Sequence, residues 1–135
     1  MSVFVDTSAF YAVLDADDLL HPAGRSAWAG LLEEREALHT TSYVLVETMA
    51  LLQRRIGLAG VRTFVADVLP VIQVAWVDEG IHRSAQHALL VASRRDLSLV
   101  DCVSFEAMRR LGLVAAFSFD SHFSEQGFKL LPEMG

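Results

Sequence analysis

Val3-Phe4-Val5-Asp6-Thr7-Ser8 is the stretch from which the fold can be read. Three successive apolar residues with β-branched ends suit a strand buried on both faces, and a carboxylate followed by two hydroxyls suits the turn into a helix. Asp6 is thereby placed at a strand's carboxyl end, the edge at which open α/β sheets bind ligands. The structural alternative is that Asp6 caps the helix starting near Thr7, since Asp is a favoured N-cap.

Beyond this strand the pattern predicts a short helix from Ser8 to about Asp18, with the acidic run Asp15, Asp17 and Asp18 at its solvated end, and a second from His21 to Glu36. Leu38 to Thr40 reads as a short strand. Thr41 or Ser42 caps a helix running to Ile56 and stopped by Gly57, with Leu45, Met49, Leu52 and Ile56 as its buried stripe. Glu47 falls on the opposite side from that stripe, where an exposed glutamate is the ordinary outcome. It lacks a basic residue three or four positions on, however, and Val44 and Leu51 flank it, so a cleft-facing role stays open.

A helix is predicted from Gly60 to Val68, ended by Pro70, then a strand from Val71 to Val77. Asp78 caps a helix to about Arg94 that shares Ile81, Ala85, Ala88, Leu89 and Ala92 on one face. His82 and His87, five apart, do not have zinc-ligand spacing and read as surface or boundary residues. Ser98-Leu99-Val100-Asp101 matches a capping box opening a helix to Arg110, with Gly112 as its stop. Val114 to Phe119 is a third good strand, followed at once by Asp120, and Gly127 to Leu131 can add an edge strand carrying Lys129. Strands alternating with helices predict a three-layer α/β/α single domain over residues 1–135, built on a central parallel sheet.

The apolar fraction of 53% suffices for a substantial core, and no apolar run approaches the roughly 18 residues of a membrane span. A soluble, cytoplasmic protein with no membrane partner is expected. Cys102 is the single cysteine, which excludes an internal disulfide and any cysteine-rich zinc site. The net charge of -6 excludes a surface generally attractive to nucleic acid, leaving local patches. Arg54-Arg55, Arg94-Arg95 and Arg109-Arg110 lie near predicted helix ends, where they complement the helix dipole; phosphate contact is their second possible use.

Asp6, Asp101 and Asp120 each have a structural explanation, but all three fall at strand ends or helix starts that an α/β sheet gathers on one edge. Two carboxylates about 4 Å apart repel by roughly 4 kcal/mol at an effective dielectric of about 20, so such a cluster requires cations. Oxygen-only ligands select hard ions, Mg²⁺ or Mn²⁺ ahead of zinc, and these equip a site for phosphodiester hydrolysis.

Phe4-Val5-Asp6-Thr7-Ser8-Ala9, Glu47 within its helix, Leu97-Ser98-Leu99-Val100-Asp101-Cys102 and Ala116-Phe117-Ser118-Phe119-Asp120-Ser121-His122-Phe123 resemble, in order and spacing, the four signature segments of the PIN-domain nucleases. Chains of this length that look similar are mostly the ribonuclease toxins of VapC-type toxin-antitoxin pairs. The resemblance implies a metal-dependent endoribonuclease that uses Mg²⁺ or Mn²⁺ to cleave an RNA substrate. It further implies Asp6 and Asp101 as principal metal ligands, Glu47 and Asp120 as acids completing the site and orienting water, and Ser118 as support for the last acid. A homodimer and a small cognate antitoxin are implied as partners. The alternatives are a phosphoacceptor signalling domain, which needs a lysine near the pocket and an acidic pair near the first strand, and a binding module that keeps the fold without catalysis.

Overall fold

The computed structural model describes residues 1–134. Its strands are β1 (Ser2–Val5), β2 (Ala37–Thr41), β3 (Ile72–Ala75), β4 (Ala115–Phe117) and β5 (Lys129–Leu131). They form one sheet in the order β3-β2-β1-β4-β5, and every pairing is parallel. Flanking helices are α1 (Thr7–Leu14), α2 (His21–Glu33), α3 (Ser42–Arg55), α4 (Leu58–Thr63), α5 (Glu79–Ala92), α6 (Leu99–Leu111) and α7 (His122–Glu125). Val3, Phe4 and Val5 are all fully buried, and because alternate strand side chains face opposite ways, helices must cover both faces of the sheet.

This order fixes where a ligand can bind. The chain winds outward from β1 through β2 to β3, then crosses back to lay β4 on the other side of β1, so the winding direction reverses between β1 and β4. A crevice opens at the carboxyl ends of strands at such a switch point. Val5 pairs with Phe117, and the next residues along, Asp6 and Ser118, therefore face one another at its mouth.

Aromatic packing holds the neighbouring elements in place. Phe123 of α7 is fully buried, with its ring centroid 6.1 Å from that of Phe4 in β1 and 5.1 Å from that of Phe105 in α6. Elsewhere Phe10 of α1 meets Phe64 edge-on at 5.1 Å, an arrangement favoured by the aromatic quadrupole.

Several element ends differ from expectation. The first helix stops at Leu14 because Asp15 turns the chain: its carboxylate accepts from the Asp17 backbone N–H at 3.0 Å and from the Tyr11 hydroxyl. On α3 the buried residues are Val44, Leu45, Thr48 and Leu52, whereas Ile56, expected in the stripe, is 38% exposed. The helix is turned toward its threonine because Thr48 Oγ1 donates to Thr7 Oγ1 at 3.2 Å, tying α3 to the start of α1. The helix expected over Gly60 to Val68 begins earlier, at Leu58, and widens into a π-helical turn at Phe64–Val68 before a 3₁₀ turn at Leu69–Val71 that contains Pro70. Along α5 only Ala85 is buried and Ala88 and Ala92 are exposed, as befits an outer helix packed on α6. Among the described residues no helix is long and apolar enough to cross a membrane.

Candidate active site

Asp6 occupies the N-cap position of α1 but makes no capping bond with its side chain. Its Oδ2 instead accepts from Ser8 Oγ at 2.9 Å and from Ser118 Oγ at 3.0 Å. Each of those hydroxyls also accepts a backbone N–H from the turn after β4, Ser8 from Phe119 and Ser118 from Asp120, both at 3.0 Å. Two serines thus join the end of β1 to the segment that carries Asp120. Burial pushes the Asp6 carboxyl up to about 6, against the opposing pull of the two serine bonds, with the negative charge of Asp101 adding to the rise.

Asp101 forms the expected capping box. The Ser98 backbone N–H donates to Asp101 Oδ2 at 3.1 Å and the Asp101 N–H donates to Ser98 Oγ at 3.0 Å. Its carboxyl is raised from the ordinary range, first by burial, with the charge of Asp120 contributing. Capping and site placement hold for the same side chain.

Asp120 Oδ1 accepts from the His122 backbone N–H at 2.9 Å. Sequence alone gives His122 no role beyond its place in the last segment, yet its Nδ1 lies 2.8 Å from Asp120 Oδ1 and 3.8 Å from Asp101 Oδ2. The first separation is short but not aligned as a hydrogen bond, so Nδ1 is buried without a hydrogen-bond partner. On its far side Nε2 meets Asp96 Oδ2 at 3.1 Å. Hydrogen bonding to Asp96 and proximity to Asp120 and Asp101 raise the imidazole above its usual range, despite its burial.

Asp101, Asp120 and His122 each offer an atom within 4.8 Å of the others, a separation that donors around one cation can span. Three acids at the crevice, two of them raised by burial and by neighbouring negative charge, fit a divalent cation on their donor chemistry. Glu47 stands on the rim. It is exposed, shares one groove with Thr7 and Arg54 and another with Tyr43, Val46 and Val100, and so lies between the neighbours of Asp6 and Asp101. The lysine a phosphoacceptor site needs is directed elsewhere, with Lys129 Nζ 3.5 Å from Glu133.

The arginine pairs are largely occupied within the molecule. Arg94, past the end of α5, bonds Asp96 and Glu125; Arg109 bonds Gln126 and lies over the Phe128 ring; Arg110 bonds Glu106. Arg55 lies over the Tyr11 ring. Arg54, in the Glu47 groove, carries no ion pair among the described residues.

A family model described as PIN domain matches residues 3–129. The chain is 35% identical over 127 residues to the 23S rRNA-specific endonuclease VapC20 of Mycobacterium tuberculosis, a match covering 93% of this chain and 95% of that protein. The crystal structure of VapC20, described as a sarcin-ricin loop cleaving toxin, superposes with a TM-score of 0.83 at 34% identity over 94% of this chain and 96% of that one. FitAcB from Neisseria gonorrhoeae, at a TM-score of 0.67 and 13% identity over 95% of each chain, shares the fold. With its sheet order, its acids at the β1–β4 crevice and these matches taken together, the chain belongs to the PIN-domain family.

Proposed function

We propose that this chain is a metal-dependent endoribonuclease, the toxin of a toxin-antitoxin pair, acting in the cytoplasm as one nuclease domain. The observation that carries the reading is the convergence of Asp6, Asp101 and Asp120 on the β1–β4 crevice. Relatedness to VapC20 over nearly the whole length supports ribosomal RNA as the substrate, and within it a structured loop such as the sarcin-ricin loop. Mg²⁺ or Mn²⁺, when bound, supplies charge neutralisation of the scissile phosphate and activation of water.

The chain's own residues divide the remaining work. Asp101 and Asp6 are the principal holders of the cation, with Asp120 as a further ligand beside Asp101; Asp101 reaches it from the first turn of α6 and Asp6 from the end of β1, the latter kept in one rotamer by Ser8 and Ser118. Asp120, fixed through its backbone N–H by Ser118, completes the acid set. Glu47 orients water from the rim, and Arg54 beside it meets the RNA backbone. A homodimer and a small antitoxin protein complete the assembly.

The test is cleavage of a synthetic sarcin-ricin stem-loop RNA, with Mn²⁺ or Mg²⁺ and with excess chelator. Metal-dependent scission at one position, lost in Asp101→Asn, supports the reading. Tight RNA binding with no scission under any metal would favour a binding module on the same fold.

A further inference from the structure

His122 has surroundings that the acid set alone does not explain. Its backbone is anchored by the next residue, since Phe123 is fully buried among Phe4, Phe105 and Phe128. Its ring is anchored by Asp96, which is itself clamped: Arg94 Nε donates to Asp96 Oδ1 at 3.2 Å and an Arg94 terminal nitrogen to Oδ2 at 2.8 Å. Arg94 is fixed in turn by Glu125 Oε2 at 2.7 Å. An ionised carboxylate only accepts, so Nε2 carries the hydrogen shared with Asp96, and Nδ1 is the ring atom that can offer a lone pair to a cation, which displaces any proton it holds.

Nδ1 is buried, makes no hydrogen bond, and sits 2.8 Å from Asp120 Oδ1 and 3.8 Å from Asp101 Oδ2. Adjacent donors on an octahedral cation of the Mg²⁺ or Mn²⁺ kind stand about 3 Å apart, given ligand distances near 2.1 Å. A histidine whose second nitrogen is held by a carboxylate is the usual arrangement of a metal-bound imidazole. We propose that His122 is a nitrogen ligand of the cation held by Asp101 and Asp120, with Asp96 as the positioning residue that orients its ring. This rests on the metal-dependent reading above and adds a consequence for selectivity. One imidazole nitrogen in an oxygen site favours Mn²⁺ over the harder, nitrogen-averse Mg²⁺.

The experiment loads the full-length, tag-free protein with MnCl₂ and measures ¹⁴N modulation of the Mn²⁺ electron-spin echo, alongside calorimetric titrations with Mn²⁺ and Mg²⁺. Imidazole ¹⁴N modulation is expected in the wild type, gone in His122→Gln, with Mn²⁺ affinity lowered about tenfold or more and the Mn²⁺/Mg²⁺ ratio reduced. Asp96→Asn, which keeps the imidazole but loosens it, should lower Mn²⁺ affinity about 10-fold to 100-fold, the usual range for such supporting carboxylates. Mn²⁺ bound by the wild type without any nitrogen signal overturns this inference and leaves the nuclease reading intact. No Mn²⁺ binding by the wild type overturns both. Should His122→Gln fail to fold, the wild-type spectrum and its disappearance in Asp101→Asn still decide the matter.

Discussion

Ser118 Oγ donates to Asp6 Oδ2 across the β1–β4 junction at 3.0 Å while accepting the Asp120 backbone N–H, so one hydroxyl couples two acids that lie far apart in sequence. Ser118→Ala removes a bond that holds the Asp6 carboxyl down, and leaves the part-buried Asp120 N–H without its acceptor. The expected cost is about 1 to 3 kcal/mol of stability. Asp6 then stays protonated to higher pH, and the acid limb of the cleavage profile should move upward. Ser118→Thr, which restores a hydroxyl, should bring both back; denaturant melts and a pH–rate profile measure this.

Asp6→Asn should have opposite effects on stability and activity. The folded carboxyl is raised to about 6 from an unfolded value of 3.8, so the native state holds the extra proton between those limits. Stability from the neutral group is therefore complete below about pH 3.8 and is lost as pH rises through about 6. Above that range, metal-free Asp6→Asn should be more stable than wild type by up to about 3 kcal/mol, with the gain vanishing below about pH 4. Cleavage should be abolished. Mn²⁺ should close the gap by raising the wild-type midpoint more than the variant's, and thermal melts from pH 4 to 8 check each point.

The contrast between Asp101 and His122 explains how much of this site was legible beforehand. Asp101 could be placed from four consecutive residues, because a capping box is a local device, and Ser98 and Asp101 form it as read. Asp6 was put at the right strand end, but capping, its local alternative, gives way to Ser118, which lies 112 residues along the chain. His122 is a lone histidine two residues past a recognised acid, and nothing in the sequence joins it to Asp96, 26 positions away. Arg94 illustrates the same limit: its charge was visible, its engagement by Asp96 and Glu125 was not. Periodicity likewise identified α3 but misjudged its buried arc, since the Thr48–Thr7 bond that turns it is tertiary.

Asp101→Asn separates the two roles of that side chain. An amide oxygen can still accept from the Ser98 N–H, so the capping box should persist and stability change by no more than about 1 kcal/mol. The charge required by a divalent cation is gone. RNA cleavage at matched folded concentration should fall to background; normal cleavage by a normally folded variant would leave Asp101 with its capping role alone.

The arginine that meets RNA should be Arg54, ahead of Arg94, Arg109 and Arg110 further along the chain. Arg94, Arg109 and Arg110 are held by Asp96, Glu125, Gln126 and Glu106, and a guanidinium so bound must break those bonds before it can reach a phosphate. Arg54 lines the groove of Glu47 and Thr7 without an ion pair among the described residues, beside the residue that follows Asp6. On a chain of net charge -6, such a local cation carries a large share of the attraction. Arg54→Gln should weaken binding of a catalytically silent variant to RNA at every sequence tested, and reduce the slope of log affinity against log salt by about 1. Arg110→Gln should leave both unchanged. Filter binding from low to moderate salt distinguishes the two, and equal slopes for Arg54→Gln and its parent would move the phosphate contact to another surface.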